Sequence, residues 1–129
     1  MKESFFKLKK QTTEEVIFKK NDDYKERGGV SLDFIPKIEI KKLNSNEAEV
    51  TLTFSVFKES QLEEKPFFIS VKQKGHFEWG KDTPEDAVDR LLSMNAPAIL
   101  LSYIRSIISQ ITAFSGFPAL IVPLIDFTK

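Results

Sequence analysis

The sequence predicts an α+β fold in which four antiparallel strands precede a short and a long helix, and three observations carry that prediction. Apolar and polar residues alternate with period two in separate runs up to Trp79, a helix start follows at Asp82-Thr83-Pro84-Glu85, and the longest apolar stretch, Ala96 to Phe127, then opens with Pro97 and passes Gly116. Strands grouped first and helices last point to a sheet backed by helices, not to alternating β-α-β units.

The first strand runs from Phe5 to Lys20, with Phe6, Leu8, Val16 and Phe18 on one parity and Lys7, Lys9 and Gln11 on the other. Its alternation breaks from Thr12 to Glu15, which predicts a bulge. Asn21 to Gly29 is polar, ends in paired glycines and reads as a loop carrying Tyr24. From Val30 to Leu43, Leu32, Phe34, Ile38 and Ile40 alternate against Asp33, Lys37, Glu39 and Lys41. Pro36 cannot donate to a ladder, so this strand bends or lies at an edge. Asn44 to Asn46 turns into the cleanest alternation of the chain, Ala48, Val50, Leu52, Phe54 and Val56 against Glu49, Thr51, Thr53 and Ser55. After a charged loop from Lys58 to Lys65, Pro66 opens a fourth strand, with Phe67, Ile69, Val71, Phe77 and Trp79 opposite Ser70, Lys72, Lys74 and His76. Four strands in succession imply an antiparallel meander or Greek key.

Thr83 is placed to cap the short helix, with Pro84 in its first position, and that helix reaches Met94. In the long helix Pro97 suits the first turn, and Gly116 suits the left-handed position just past the end. Leu100, Leu101, Tyr103, Ile104, Ile107, Ile108, Ile111 and Phe114 recur every three or four residues, a stripe too wide for one packing partner. The remaining face offers the small residues Ser102, Ser106, Ser109 and Ala113, with Arg105 as its only charge, and small residues let a second helix approach closely. This predicts a sheet on one side and another subunit's helix on the other, although a core helix of a monomer would carry a similar stripe. Phe117 to Ile125 is uncharged, and Pro118 and Pro123 exclude a helix interior or a central strand. Such a loop must be buried or used. It falls short of the roughly 20 residues that span a bilayer as a helix.

At 129 residues and 14.8 kDa the chain fits one domain, 1–129. With 19 basic and 19 acidic residues it is formally neutral, so bulk charge directs it neither to nucleic acid nor to anionic membrane. The absence of cysteine removes disulfides, thiolate metal sites and cysteine nucleophiles and suits a reducing compartment. The N-terminal stretch lacks the apolar core of a signal peptide, so a cytoplasmic location is expected. His76 is the only histidine, which leaves little from which to build a metal site, and no metal or cofactor is expected. Asp82, Glu85, Asp86 and Asp89 cluster where carboxylates favour a helix dipole, a simpler account than a catalytic pair. No phosphate-binding loop or nucleophile elbow occurs, and no enzyme is expected.

The run Phe67 to Val71 with its exit Gly75-His76-Phe77, then Asn95-Ala96-Pro97-Ala98-Ile99-Leu100, Tyr103-Ile104-Arg105, and Gly116-Phe117-Pro118 with Asp126-Phe127, stand in the order of a known signature. They resemble the SecB family of protein-export chaperones, over Val30 to Phe127 and more weakly in the first strand. The resemblance implies a four-stranded sheet and long helix per subunit, and a homotetramer built as a dimer of dimers with the long helices packed centrally. It also implies an ATP-independent holdase that takes extended or non-native polypeptide into a hydrophobic groove and keeps precursors translocation-competent. Candidate groove residues are Phe117, Leu120, Val122 and Ile125 with Phe18, Tyr24 and Phe34, each of which also suits an ordinary core. The subunit interface would use Ser102, Arg105, Ser106, Ser109 and Ala113.

Departures from the family carry weight of their own. Its members dock the export motor SecA through carboxylates on the exposed sheet face, one in the fourth strand and two near the end of the first. The matching positions here are Ser70, Glu15 and Lys19, and the same face carries Lys7, Lys9, Lys37, Lys41, Lys72 and Lys74. A lysine-rich face repels a basic tail, which argues against SecA docking. The sequence ends at Lys129, where family members often continue into a C-terminal helix, so a more open groove or a narrower client is expected. SecB-like proteins also serve as dedicated chaperones of antitoxins, and that is the alternative reading. A third, single-stranded nucleic acid on the lysine face, lacks interleaved aromatics, since Phe6, Phe34 and Phe54 fall on the opposite parity.

Overall fold

The computed structural model describes residues 6–26 and 28–128; Phe5, which opens the predicted first strand, lies outside the described residues. Strand β1 spans Lys7–Lys20, β2 Phe34–Asn44, β3 Glu47–Val56 and β4 Phe67–Glu78, in one antiparallel sheet of order β1-β4-β3-β2. This is a Greek key: β2, β3 and β4 follow one another, and the chain leaving β1 crosses to the far edge. The predicted loop between β3 and β4 contains a 3-10 turn, Glu59–Glu64.

Each strand keeps the face that its alternation predicts, with two local corrections. Strand β2 begins at Phe34, not Val30, because Phe34 pairs with Val56, the last residue of β3, and earlier residues have no partner strand. Leu32 therefore lies ahead of the ladder and is 40% exposed. Pro36 lies on an edge strand, as expected. Strand β1 slips register twice, between Leu8 and Lys10 and between Thr13 and Glu15. The second slip is the expected bulge. The first moves Gln11 off the lysine face and places it opposite Gly75 on the helix side, where its Oε1 accepts a hydrogen bond from Gln73 Nε2. Two one-residue slips cancel, so Val16 and Phe18 regain the face of Leu8.

Two corrections concern the helices. Helix α1 is Glu85–Arg90, and its N-cap is Pro84 instead of Thr83: Pro84 is still extended, with ψ 144°, and its carbonyl accepts the first helical bond from Val88 N–H at 3.0 Å. The short and long helices are also not separate. A π turn, Leu91–Asn95, joins α1 to α2, Ala96–Phe114. Ala96 N–H bonds the Leu91 carbonyl five residues back, and this wider turn precedes Pro97, which has no N–H to donate and whose ring would crowd an α-helical carbonyl. Helix α2 ends as predicted on left-handed Gly116, φ 89°. Gly116 N–H donates to Ala113 O at 3.3 Å and Phe117 N–H to Thr112 O at 3.1 Å, a Schellman closure.

The core lies between one sheet face and α2. Ala48, Val50, Leu52, Phe54 and Val56 of β3 and Ile69, Val71 and Phe77 of β4 are fully buried, and Leu100, Ile104 and Ile108 of α2 face them without exposure. The continuous helix Glu85–Phe114 is long and apolar enough to cross a membrane by composition alone; Leu100, Leu101, Ile104 and Ile108 of its apolar stripe are buried in this core, while Tyr103 and Phe114 stay exposed. Packing leaves no room at Gly75, where a Cβ would stand 2.6 Å from Phe77 Cε2 and 2.9 Å from Leu100 Cδ2. Gly75→Ala is therefore expected to overpack the helix–sheet seam and lower stability by about 1–3 kcal/mol. Urea denaturation would show this, and an unchanged midpoint would mean that the helix has room to lift.

Candidate functional site

Past Gly116 the chain runs on to Asp126 without helix or strand, as two prolines in nine uncharged residues favour. Helix α2 holds it by its main chain. Thr112 Oγ1, buried, accepts the Leu120 N–H at 2.9 Å, and Arg105 Nε donates to the Val122 carbonyl at 2.5 Å. Val122 is fully buried, and Phe117, Leu120, Ile125 and Phe127 are half-buried against the core. Ile121 and Leu124 point outward, 67% and 84% exposed.

Beside this segment lies an aromatic cluster centred on Phe67 of β4. Its ring centroid is 5.1 Å from Phe117, 5.6 Å from Phe57 and 5.9 Å from Phe18. The ammonium of Lys20 stands 5.9 Å over Phe117, and that of Lys65 stands 5.2 Å over Phe57. The fold thus brings Phe18 and Phe117, 99 positions apart in sequence, onto one ring. Phe34 stacks elsewhere, on Phe54 at 5.8 Å. Tyr24 sits in the β1–β2 crossover by Asp23, Lys25, Glu63 and Glu64, in polar surroundings. That crossover is fastened by Asn21, whose Nδ2 donates to the Leu62 carbonyl at 2.9 Å and the Lys65 carbonyl at 3.1 Å.

Sequence reading missed Phe57, Ile121, Leu124 and the exposure of Phe114. Phe57 breaks the alternation of β3 by one position, and it alone among the described non-glycine residues has positive φ, 65°. That break was the available signal. Phe114 is 81% exposed at the end of a helix flank shared with Tyr103, Ile107 and Gln110, spaced four, three and four residues apart.

Ser102, Ser106, Ser109 and Ala113 occupy another flank of α2 by the same spacing; Ser102, Ser106 and Ala113 are exposed and Ser109 half-buried. Arg105 does not share their direction. Its guanidinium turns to Val122 in its own chain.

The outer sheet face corrects the expected lysine-rich surface. Lys74 lies 3.1 Å from Glu14 and 3.5 Å from Glu49, Lys9 reaches Glu47 at 3.5 Å and Glu78 at 3.6 Å, and Lys37 pairs with Glu39 at 3.7 Å. Strand register sets acids beside lysines that are distant in sequence, and the bulge before Glu15 lets Glu14 reach Lys74. The hydrogen bond to Lys74 holds the Glu14 carboxyl below its ordinary range, and the same bond raises Lys74. Asn44, then His76 at 3.0 Å, lower Glu47. Glu15, Lys19 and Ser70 do lie on this face, around Phe68 and Ile17. Among the described residues no three His, Asp or Glu side chains are grouped to hold a metal ion.

The family model described as Preprotein translocase subunit SecB matches residues 8–129. A Protein-export protein SecB of Anaplasma phagocytophilum is 37% identical over 83 residues, covering 62% of this chain and 51% of its own length. One from Psychrobacter arcticus is 35% identical over 89 residues, covering 69% and 59%. The chain thus spans about half to three fifths of the length of these curated relatives. Among solved structures, a Mycobacterium tuberculosis SecB-like chaperone, in complex with a ChAD peptide from the HigA1 antitoxin, superposes with TM-score 0.75 over 94% of this chain and 91% of that one. At 11% identity that likeness shows the shared α+β fold.

The outer-face carboxylates have a thermal signature. Glu14 and Glu47, lowered in the fold, contribute stability that is complete above their unfolded-state pKa and is lost as pH falls through the folded value. Lys74, raised, contributes stability present below its unfolded pKa and lost as pH rises through the folded one. Melting temperature is expected to hold near neutrality and fall below the carboxylate range. The double variant Glu14→Gln, Glu47→Gln should flatten part of that acid limb, modestly because both pairs are exposed to solvent. An acid limb identical to the parent's would assign it to other carboxylates.

Proposed function

Because the chain belongs to the SecB family, we propose that it is an ATP-independent molecular chaperone, a holdase that keeps non-native or extended polypeptides soluble and translocation-competent. The observation that carries this reading is the apolar surface of the segment after α2. Ile121 and Leu124 face solvent there, in the same segment as the half-buried Phe117, which meets Phe67 together with Phe18. An unfolded client shows apolar side chains at irregular spacing, so its binder needs broad greasy surface more than fixed polar contacts. Roughly 25 cal/mol per Å² of buried apolar area lets several shallow contacts add up without sequence selectivity. Phe117, Leu120 and Ile125 would form the wall, Val122 its anchor and Phe18 its far side, while Phe34 on Phe54 and Tyr24 among Asp23, Lys25, Glu63 and Glu64 lie apart from it.

The working unit in this proposal is a cytoplasmic homotetramer, a dimer of dimers whose centre uses Ser102, Ser106, Ser109 and Ala113 close to Arg105. The exposure of that small-residue flank supports it.

A second reading is a dedicated chaperone of an antitoxin. Ser70 and Lys19 stand on the outer face where SecA-docking relatives are expected to carry carboxylates, and the paired lysines around them leave the face close to neutral. Such a face gives a basic tail little attraction. The pairing of Lys9, Lys37 and Lys74 also weighs against nucleic acid.

Light-scattering mass after size exclusion, with an unfolded aggregation-prone polypeptide added by dilution, tests the reading. A tetramer that gains one client's mass and stays soluble is expected, and a mass indifferent to the client would remove general holdase activity. The pair Ile121→Ser, Leu124→Ser is expected to weaken client binding about tenfold, from two lost apolar contacts. Both side chains are exposed, so melting should scarcely move.

A further inference from the structure

We propose that α2 carries a main-chain clamp, formed by Arg105 and Thr112, which the chain's own Leu120–Val122 span occupies until an extended client segment takes its place. The proposal rests on the holdase reading and deepens it, because it names what the site recognises. The two side chains are seven residues apart, two turns along one flank of α2. One is a donor aimed at a carbonyl, Arg105 Nε to Val122 O at 2.5 Å; the other is an acceptor for an amide, Thr112 Oγ1 from Leu120 N–H at 2.9 Å. In an extended chain, residues two apart present their main-chain groups to the same side, so the pair fits any extended backbone. Neither bond reads a side chain.

Thr112 is specifically built for this. Its hydroxyl is fully buried and spends its proton on the Ile108 carbonyl at 2.8 Å, which leaves its lone pairs for an incoming N–H. The resident segment is also chemically a client: outside any helix or strand, uncharged and apolar at every position from Phe117 to Ile125. It is lightly tied. Past the helix cap, its main-chain bonds to α2 among the described residues are the two of the clamp, and only one of its side chains, Val122, is fully buried.

An occupant on the same chain competes at an effective concentration on the order of millimolar. A short peptide loses to it. A long unfolded chain that touches the surface at several points gains the avidity to win, so the resident segment makes the site selective for long unfolded polypeptides of any sequence.

The chain has no cysteine, so a double variant, Lys41→Cys on the outer face of β2 and Ala119→Cys in the segment, takes spin labels cleanly. Labelled protein is diluted into unlabelled full-length chain, and the distance is read by pulsed EPR with reduced, carboxymethylated α-lactalbumin, which stays unfolded. Co-elution is measured on the same samples. A longer or broader distance whose amplitude follows client occupancy is expected, while a peptide copying residues 117–126 leaves it unchanged. A client that co-elutes with the distance unmoved overturns the clamp and spares the holdase reading; a client that never co-elutes sinks both. As a second variant, Thr112→Val keeps shape and removes the acceptor. It should lengthen or broaden the resting distance with helix content intact, and, because the bond is lost to resident and client alike, shift client affinity by less than the roughly fivefold worth of one net hydrogen bond. An unchanged distance in that variant would equally overturn the proposal.

Discussion

Helix α2 packs tightly on β4 at Gly75, where an added Cβ would meet its neighbours, and the placement of the helix depends on that contact. With no side chain at that position, Leu100 comes down onto the strand beside Phe77 and Leu8. The height and rotation of the helix follow. Leu101, Ile104 and Ile108 then face β3 and β4, Arg105 and Thr112 face the returning segment, and Ser102, Ser106 and Ala113 face away from the sheet. One helix therefore has several flanks with different tasks, separated only by the angle of about 100° per residue.

The sheet divides its labour in a similar way, by parity. Its helix side is apolar through the centre, and its outer side is charged, but parity alone would fail in β1. There the two bulges act as a matched pair: one slip would turn Val16 and Phe18 outward, and the second returns them. Between the slips Gln11 and Thr13 meet the buried Gln73, so the helix side of β1 is polar in its middle and apolar at its ends. On the outer side the formal neutrality of the whole chain is reproduced locally, lysine against glutamate across strands. Such a surface steers charged partners weakly.

What was legible in the sequence follows from how local each signal is. The alternation of β3 needs no partner to be read, and Gly116 announces a left-handed helix end by itself; both stand as predicted. The family signature also lay in short runs, Asn95 to Leu100 and Gly116 to Pro118, and it gave the fold. Other features depend on residues far apart in sequence. The first bulge of β1 shows only against β4, and the neutrality of the outer face only through cross-strand register. The π turn before Pro97 depends on α1 continuing into α2, which the proline seemed to forbid. For the candidate site the seven groove residues divide: Phe18 and Phe117 meet at Phe67, whereas Phe34 and Tyr24 lie apart, and pattern alone held no information on which rings would meet.

The prolines of the returning segment bring these constraints together. Pro118 and Pro123 bar it from a ladder, so its amides and carbonyls cannot be satisfied by a strand. Buried main-chain groups require partners, and here the helix supplies two from side chains, at Leu120 and Val122. A strand in that place would have been tied at nearly every residue and would be as rigid as the sheet. Two main-chain bonds and one fully buried side chain, Val122, leave this segment with fewer ties than a strand, while Phe117, Leu120 and Ile125 stay packed against the core. In the proposed holdase, low local stability would suit a surface that must fit partners of no fixed shape. The uncharged, proline-broken sequence is the physical reason this segment is tied by helix side chains and not by a ladder.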